Sequence, residues 1–168
     1  MYQGYSPALQ LIYASMMIRL LLIFVAFTSV AHADDLRGKP RIVDGDTIWI
    51  GKTKIRLHGI DTPEMKQECK DADGNPWMAG EEAKEFLKSL TDGKEVSCSS
   101  HGNDKYGRMI GSCEVGDMDI NREMVVFGLA RAYRQYSKRY LYEEHGAMRN
   151  KAGMWGGECM APWEWRRK

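Results

Sequence analysis

Four carboxylates occupy two short polar stretches, each of which adjoins an apolar, strand-like segment. They are Asp44 and Asp46, which flank Gly45, and Asp61 and Glu64, which flank Thr62-Pro63. If the two strand ends are neighbours, the four acids could converge on one hard cation, because Ca²⁺ binds about 6–8 oxygen ligands. The alternative is a pair of ordinary turns, since Asp, Gly and Pro are turn residues. On spacing alone, the turns are the simpler interpretation.

Two arginines accompany these acids. Arg56 precedes Asp61 on the same apolar segment, at a position that side-chain alternation directs away from the core, and Arg108 follows Tyr106-Gly107 in a polar connection. Guanidinium groups beside a cation site suit phosphoryl chemistry, because they bind phosphate oxygens bidentately and stabilise the charge of the transition state. Taken singly, each arginine is more simply explained as a solvated surface side chain.

Tyrosines next to basic residues offer a possible contact with nucleic acid. Tyr106 adjoins Lys105, and Tyr133 lies in a stretch rich in Arg and Tyr, residues 131–140. Aromatic rings can stack on bases while neighbouring cations contact phosphates. Loop packing and a solvated basic face are the alternatives. The histidines form no catalytic triad, and no Ser or Cys has the context of a nucleophile.

The elements that must position these residues alternate between strand and helix patterns. Strands are predicted within Arg41–Ile60 and in a hairpin with arms Glu95–Ser99 and Met109–Val115. Helices are predicted at Gly80–Leu90, Asp119–Phe127 and Tyr140–Ala152, with Asp119 as an N-cap. The segment between Glu64 and Gly80 is predicted to be a long loop. This order indicates the α+β class, as a small β-barrel that carries three helices.

The first 33 residues differ from the rest of the chain. They contain no acidic residue and one basic residue, Arg19, followed by the apolar run Leu20–Val30 and by Ala31-His32-Ala33. This pattern predicts a secretory signal peptide over residues 1–33, whose true start could be Met16 or Met17. The run is shorter than the ~20 residues of a membrane span, so an uncleaved anchor is the weaker alternative. Residues 34–168 are then one mature domain, secreted or periplasmic, with no membrane attachment.

The mature part is balanced in charge, with 23 acidic residues and all but one of the 24 Lys and Arg. This balance counts against a protein that only coats nucleic acid, because such domains are usually strongly basic. It is compatible with an enzyme that places a local basic site beside an acidic one.

The four cysteines also lie in the mature part, at positions 69, 98, 113 and 159. With an export signal, disulfides are the default expectation. The two arms of the predicted hairpin carry Cys98 and Cys113, which favours that bridge and, by elimination, Cys69–Cys159. Four cysteines allow three pairings, and four reduced thiols are a further alternative.

Taken together, these fragments resemble the staphylococcal nuclease family. The matching motifs are Val43-Asp44-Gly45-Asp46-Thr47, Arg56-Leu57-His58-Gly59-Ile60-Asp61-Thr62-Pro63-Glu64 and Asp104-Lys105-Tyr106-Gly107-Arg108, with later landmarks at Gly128-Leu129-Ala130 and Gly153-Met154-Trp155. Each motif is weak alone, whereas all of them in this order and spacing are highly specific. The resemblance implies a five-stranded OB-type β-barrel with three α-helices.

The resemblance also implies a role for each candidate residue. Asp46 and Asp61 match carboxylate ligands of Ca²⁺, Thr62 matches a main-chain carbonyl ligand, and Asp44 matches a supporting acid. Glu64 matches the residue that orients or deprotonates the attacking water, and Arg56 and Arg108 match the two phosphate clamps. Lys105, Tyr106 and Tyr133 match residues on the substrate side.

The function implied is calcium-dependent hydrolysis of DNA and RNA that leaves 3′-phosphate ends, by a protein acting as a monomer. A non-catalytic OB-fold module that binds single-stranded nucleic acid is the principal alternative, and a structural role in the envelope is another. The segment Met65–Ala79 departs from the staphylococcal enzyme and contains Cys69, so substrate preference does not transfer.

Overall fold

The computed structural model describes residues 35–168, and the predicted signal peptide at residues 1–33 lies outside them. Within the described part, no helix is both long and apolar enough to cross a membrane. The strands are β1 (Leu36–Gly38), β2 (Pro40–Asp44), β3 (Thr47–Ile50), β4 (Thr53–Leu57), β5 (Ile60–Asp61), β6 (Glu68–Lys70), β7 (Pro76–Met78), β8 (Val96–Asn103), β9 (Met109–Val115), β10 (Met118–Asp119) and β11 (Arg131–Ala132).

The main sheet curves round so that its two edge strands are consecutive in the chain. Its hydrogen-bonded order is β1-β8-β9-β4-β3-β2, with the two-residue β10 paired to β9. The first and last strands of this order, β1 and β2, are consecutive in the chain and separated only by Lys39. If β1 and β2 are counted as one interrupted strand and β10 is set aside, five strands remain. The α+β class and the OB-type arrangement are thereby confirmed.

The helices lie close to the positions predicted from periodicity. They are α1 (Ala79–Thr91), α2 (Ile120–Val126) and α3 (Leu141–Arg149), followed by a 3₁₀ turn at Gly153–Trp155 and the short α4 (Pro162–Trp165). Asp119 caps α2 as expected, because its side chain accepts a hydrogen bond from the Arg122 N–H. Helix α3 ends earlier than predicted, at Arg149, and the chain then reverses through Lys151 in the left-handed region, with φ of 52°.

The segment between Glu64 and Gly80 is not the long loop that its polar composition suggested. It contains the antiparallel pair β6–β7. The Asp71 side chain closes the connecting turn by accepting hydrogen bonds from the Asp73 and Asn75 N–H groups. A turn sequence with few apolar residues therefore supports a short hairpin, which the apolar pattern alone did not reveal.

The hydrophobic core lies between the curved sheet and the helices. Helix α1 contributes Ala83 and Leu87, whose spacing of four residues places both on one face. Helix α2 contributes Ile120, Met124 and Val125. The sheet supplies further fully buried side chains, among them Ile48, Ile55, Leu57, Val96 and Cys98.

Two disulfides connect the structure, and both have the predicted partners. Cys98 and Cys113 lie directly opposite each other on β8 and β9, with Cα atoms 4.1 Å apart. Cys69 on β6 is bonded to Cys159 near the C-terminus, with Cα atoms 4.7 Å apart. The second bridge therefore fixes the start of the C-terminal segment to the hairpin that follows Glu64.

Candidate active site

The bend between β2 and β3 places Asp46 against the second acidic stretch. A register shift between Ile42 and Asp44 precedes the bend, and such bulges re-aim the chain next to functional sites. Gly45 is required there, since a Cβ atom would lie 2.8 Å from Ala83 Cβ on α1 and 2.9 Å from Thr62 Oγ1. Gly45 therefore allows three chain segments to approach closely, in addition to forming a turn: the bend itself, α1 at Ala83 and the second acidic stretch at Thr62.

Arg56 joins the two acidic stretches. From the middle of β4 its Nη1 donates to Asp46 Oδ1 at 2.8 Å, and its Nη2 donates to Asp61 Oδ1 at 2.7 Å. Both carboxylates are almost inaccessible, with side chains 5% and 0% exposed. The two buried acids and the guanidinium form a network of charge-assisted hydrogen bonds. Ordinary turns do not require such a network, so the turn interpretation alone does not account for these residues.

The electrostatics of Asp46 reflect this burial. The pKa of Asp46 is raised to about 7, chiefly by burial; the carboxylates of Asp44 and Asp61 also raise it, whereas the Arg56 guanidinium lowers it. Asp44 acts on Asp46 through the backbone as well, because its Oδ1 accepts the Asp46 N–H at 3.1 Å. Asp44 therefore contacts Asp46 directly, and its supporting role stays a prediction.

Glu64 is held by contacts to its backbone, which leaves its carboxylate partly free. Its N–H donates to Gln67 Oε1 at 3.2 Å, and its carbonyl accepts the Gln67 N–H at 2.7 Å. Gly80, at the start of α1, packs on the Glu64 carbonyl so closely that a Cβ atom would collide with it. The Glu64 side chain is 44% exposed, so water can reach this carboxylate.

A residue that sequence reasoning missed completes this cluster. Arg166, at the C-terminal end of α4, donates from Nη2 to Asp61 Oδ2 at 2.8 Å and from Nη1 to Glu64 Oε1 at 2.8 Å. The aromatic and basic composition of the C-terminal tail does not by itself point to the acids. The signal that could have indicated more is the pair Arg166-Arg167 directly after a tryptophan pair in a tail held by Cys159.

The structure does not bring Arg108 into hydrogen-bond contact with the acids. Its Nε donates to Asp104 Oδ2 at 2.7 Å, and its guanidinium lies 5.6 Å from the centre of the Tyr106 ring. Arg108 does lie just before β9, where Ile110 is opposite Arg56 in the parallel β4–β9 pair. Lys105 and Tyr106 occupy the same turn, and Tyr106 is 71% exposed.

Tyr133 is positioned by the short pair β5–β11. Arg131 lies opposite Asp61 in this pair, and the Tyr133 N–H donates to the Gly59 carbonyl at 2.9 Å. The Tyr133 ring therefore lies just beyond the strand that carries Asp61. Trp163 of α4 is parallel to this ring, with the centroids 5.9 Å apart.

The donor chemistry of Asp46, Asp61 and Thr62 fits a hard divalent cation. Both acids offer buried carboxylate oxygens, and the Thr62 N–H lies 3.4 Å from Asp46 Oδ2, which places the Thr62 backbone beside the pair. Within residues 35–168, no group of three or more His, Cys, Asp or Glu side chains is arranged to hold a metal. A cation bound here would therefore need main-chain or water oxygens in addition to the two carboxylates.

Comparison with known proteins places this site in a family. The model of the family described as staphylococcal nuclease homologue matches residues 54–157. A protein named "Uncharacterized endonuclease" from Escherichia coli O157:H7 is 33% identical over 156 residues, covering 88% of this chain and 95% of that protein. A "Micrococcal nuclease" from Shigella flexneri is 34% identical over 163 residues, covering 85% and 87%. A "Succinoglycan biosynthesis protein ExoI" from Rhizobium meliloti is 33% identical over 127 residues, covering 73% and 66%. With the family model spanning most of the described residues, the chain belongs to the staphylococcal nuclease family.

Proposed function

We propose that this protein is a calcium-dependent nuclease that hydrolyses phosphodiester bonds of DNA and RNA and leaves 3′-phosphate ends. Family membership makes the chain a phosphodiesterase; the cation, the substrates and the bond cleaved are the proposal. The observation that carries it is the arrangement of Arg56, which holds two buried carboxylates, Asp46 and Asp61, beside the water-accessible carboxylate of Glu64.

The roles of the side chains follow from their chemistry. Glu64 aligns the attacking water or accepts its proton. A carboxylate is a weak base, so Glu64 requires assistance in taking the proton of water. A divalent cation held by Asp46, Asp61 and the Thr62 carbonyl would supply that assistance by acidifying the water and polarising the phosphate. Arg56 and Arg108 bind the non-bridging oxygens and stabilise the charge that grows on them.

Arg108 needs a change of partner for this role. Its guanidinium is held by Asp104, and the Arg108 side chain is 23% exposed, so it is accessible to an incoming phosphate. A phosphate can replace the Asp104 carboxylate, because a guanidinium binds both groups in the same bidentate geometry. Lys105, Tyr106 and Tyr133 would contact the nucleotides on either side of the cleaved bond.

An oligonucleotide assay separates this function from a non-catalytic OB-fold module. A 5′-labelled DNA strand and its RNA counterpart are incubated with the protein in Ca²⁺, and binding and cleavage are recorded on the same samples. We expect fragments that a polymerase extends only after phosphatase treatment, which identifies 3′-phosphate ends. Retention of both intact strands without cleavage would favour the binding module instead.

We further propose that the mature enzyme, residues 34–168, acts as a monomer in an oxidising compartment, secreted or periplasmic. Its two disulfides support this location, because such bonds persist outside the reducing cytosol. Intact-mass analysis of exported protein is expected to give a chain that begins at Asp34. A mass that retains the apolar run before Ala31 would contradict removal of the signal peptide.

A further inference from the structure

The C-terminal segment of residues 159–168, here called the C-terminal strap, reaches back to the candidate active site. Its Arg166 contacts both oxygens of Asp61, with Nη1 at 3.2 Å from Oδ1 and Nη2 at 2.8 Å from Oδ2. The same Nη1 donates to Glu64 Oε1 at 2.8 Å. One guanidinium thus engages a carboxylate proposed to bind the cation and the one proposed to activate water.

These contacts occupy the donor atoms that a cation would use. Asp61 is fully buried, and its Oδ1 also accepts a hydrogen bond from Arg56. Of the roughly four lone-pair sites of the Asp61 carboxylate, the hydrogen bonds from Arg56 and Arg166 occupy three, which leaves little room for a metal ion. A divalent cation that binds Asp61 must therefore displace Arg166. The guanidinium and the cation compete for the same carboxylate.

The start of the strap is firmly attached close to this place. Cys159 is bonded to Cys69 on β6, and the Arg131 guanidinium donates to the Cys159 carbonyl at 3.0 Å. The buried Gln67 donates from Nε2 to the Met160 carbonyl at 2.8 Å. With its start fixed, the end of the strap has a high effective concentration at Asp61, as any short tether gives.

A second contact of the strap covers another part of the site. Trp163 is stacked parallel to Tyr133, the ring proposed to lie on the substrate side. A nucleobase that stacks on that face of Tyr133 must displace Trp163, in the same way that a cation must displace Arg166. Both contacts are made by the four-residue helix α4 and its C-cap, so they are expected to release together.

We propose that the C-terminal strap is an autoinhibitory element, in which Arg166 takes the place of the divalent cation at Asp61 and Glu64 while Trp163 covers Tyr133. This inference rests on the proposed function, because it assumes that the cation binds Asp61. The cation binds only those molecules in which the strap is released. Its apparent affinity is therefore the intrinsic affinity multiplied by the fraction of molecules with a released strap. Typical couplings between two such states change affinity 5–150-fold, so we expect removal of Arg166 to raise cation affinity by about 5-fold or more.

The test is a calorimetric titration of Ca²⁺ into the mature protein with both disulfides intact. Arg166→Gln removes the guanidinium. Arg167→Gln is the matched control, because it removes the same charge from the neighbouring exposed residue, which contacts neither Asp61 nor Glu64 among the described residues. Arg166→Lys keeps the charge but cannot bridge two carboxylates bidentately. We expect Ca²⁺ to bind more tightly to both Arg166 variants, with Arg167→Gln unchanged.

Three results would overturn the proposal that the strap is autoinhibitory. Equal Ca²⁺ affinity in Arg166→Gln and wild type would mean that the guanidinium does not compete, and weaker binding would mean that Arg166 supports the site. If neither protein bound Ca²⁺, both the autoinhibitory role of the strap and the calcium assignment would be contradicted. Cleavage of nucleic acid, followed separately, distinguishes that last result from failure of the nuclease proposal itself.

Discussion

At the scale of single residues, Arg56 links the stability of the fold to the candidate chemistry. It is the partner shared by two buried carboxylates, and its removal leaves both without a counter-charge on β4. Breaking a buried pair in this way typically costs about 3–5 kcal/mol, so a loss of activity in an Arg56 variant would not separate catalysis from folding. Glu64 and Arg108 are the more informative positions, since both are partly exposed.

We expect Glu64→Gln and Arg108→Ala each to lower kcat by at least ~10²-fold, the size associated with a lost general base or a lost donor to the transition state. Thermal denaturation should show both variants folded with little change in Tm. Arg149→Ala, at an exposed position at the end of α3, is the control for loss of a surface arginine. Turnover close to wild type in either site variant would refute the role given to that residue.

His58 makes stability depend on pH. Its pKa is lowered from 6.5 by burial and by the nearby His101 and Arg139 side chains, with the centre of the stacked His101 ring 4.2 Å away. The unfolded chain therefore binds the proton more readily than the folded one, and the contribution to stability is full above about pH 6.5 and is lost as the pH falls. We expect the drop in Tm between about pH 7 and about pH 5 to be smaller in His58→Gln than in wild type. Parallel curves for the two proteins would contradict this assignment.

At the scale of elements, the N-terminal end of α1 packs against the backbone of Glu64, the residue proposed to activate water. Gly80 packs on the Glu64 carbonyl, and a methyl group there would collide with the backbone. We expect Gly80→Ala to lower both the free energy of unfolding and kcat, because α1 and the Glu64 backbone must separate.

The matched control for this change is Gly146→Ala in α3, where a Cβ atom would meet no neighbour within 4 Å. Alanine favours a helix over glycine by about 1 kcal/mol, so this variant should be as stable as wild type or more so. Urea denaturation with activity assays on both variants is the measurement. Equal behaviour of the two variants would show that contact with Glu64 is unimportant.

Elements with a strong periodic pattern were predictable from the sequence, and short ones were not. The strand Met109–Val115 and the Asp119 cap of α2 agree with the prediction, because alternation and capping are local signals. The β6–β7 hairpin was missed, since its stability comes from the Asp71 turn and the Cys69 disulfide and not from an apolar pattern. The four residues of α4 are too few to show helical periodicity.

At the scale of the whole molecule, long-range contacts decide what the site looks like. The acids and Arg56 could be placed together from the sequence only through the family resemblance, because their spacing alone favours two ordinary turns. Arg166 is 105 positions from Asp61, and nothing local in the sequence indicates that the tail returns to the site. Two features hinted at this: the disulfide, which connects the hairpin after Glu64 to the start of the tail, and the basic pair Arg166-Arg167 within the tail.

The central claim is that this fold uses calcium, held by Asp46 and Asp61, to cut nucleic acid, and a digestion of plasmid DNA tests it most directly. The mature protein is incubated with Ca²⁺, with EDTA, and with EDTA followed by excess Ca²⁺; Asp61→Asn is treated in parallel. We expect cleavage in Ca²⁺, none in EDTA, recovery on adding Ca²⁺ back, and little cleavage by the variant under any condition. Full cleavage in EDTA by the wild-type protein would contradict the account.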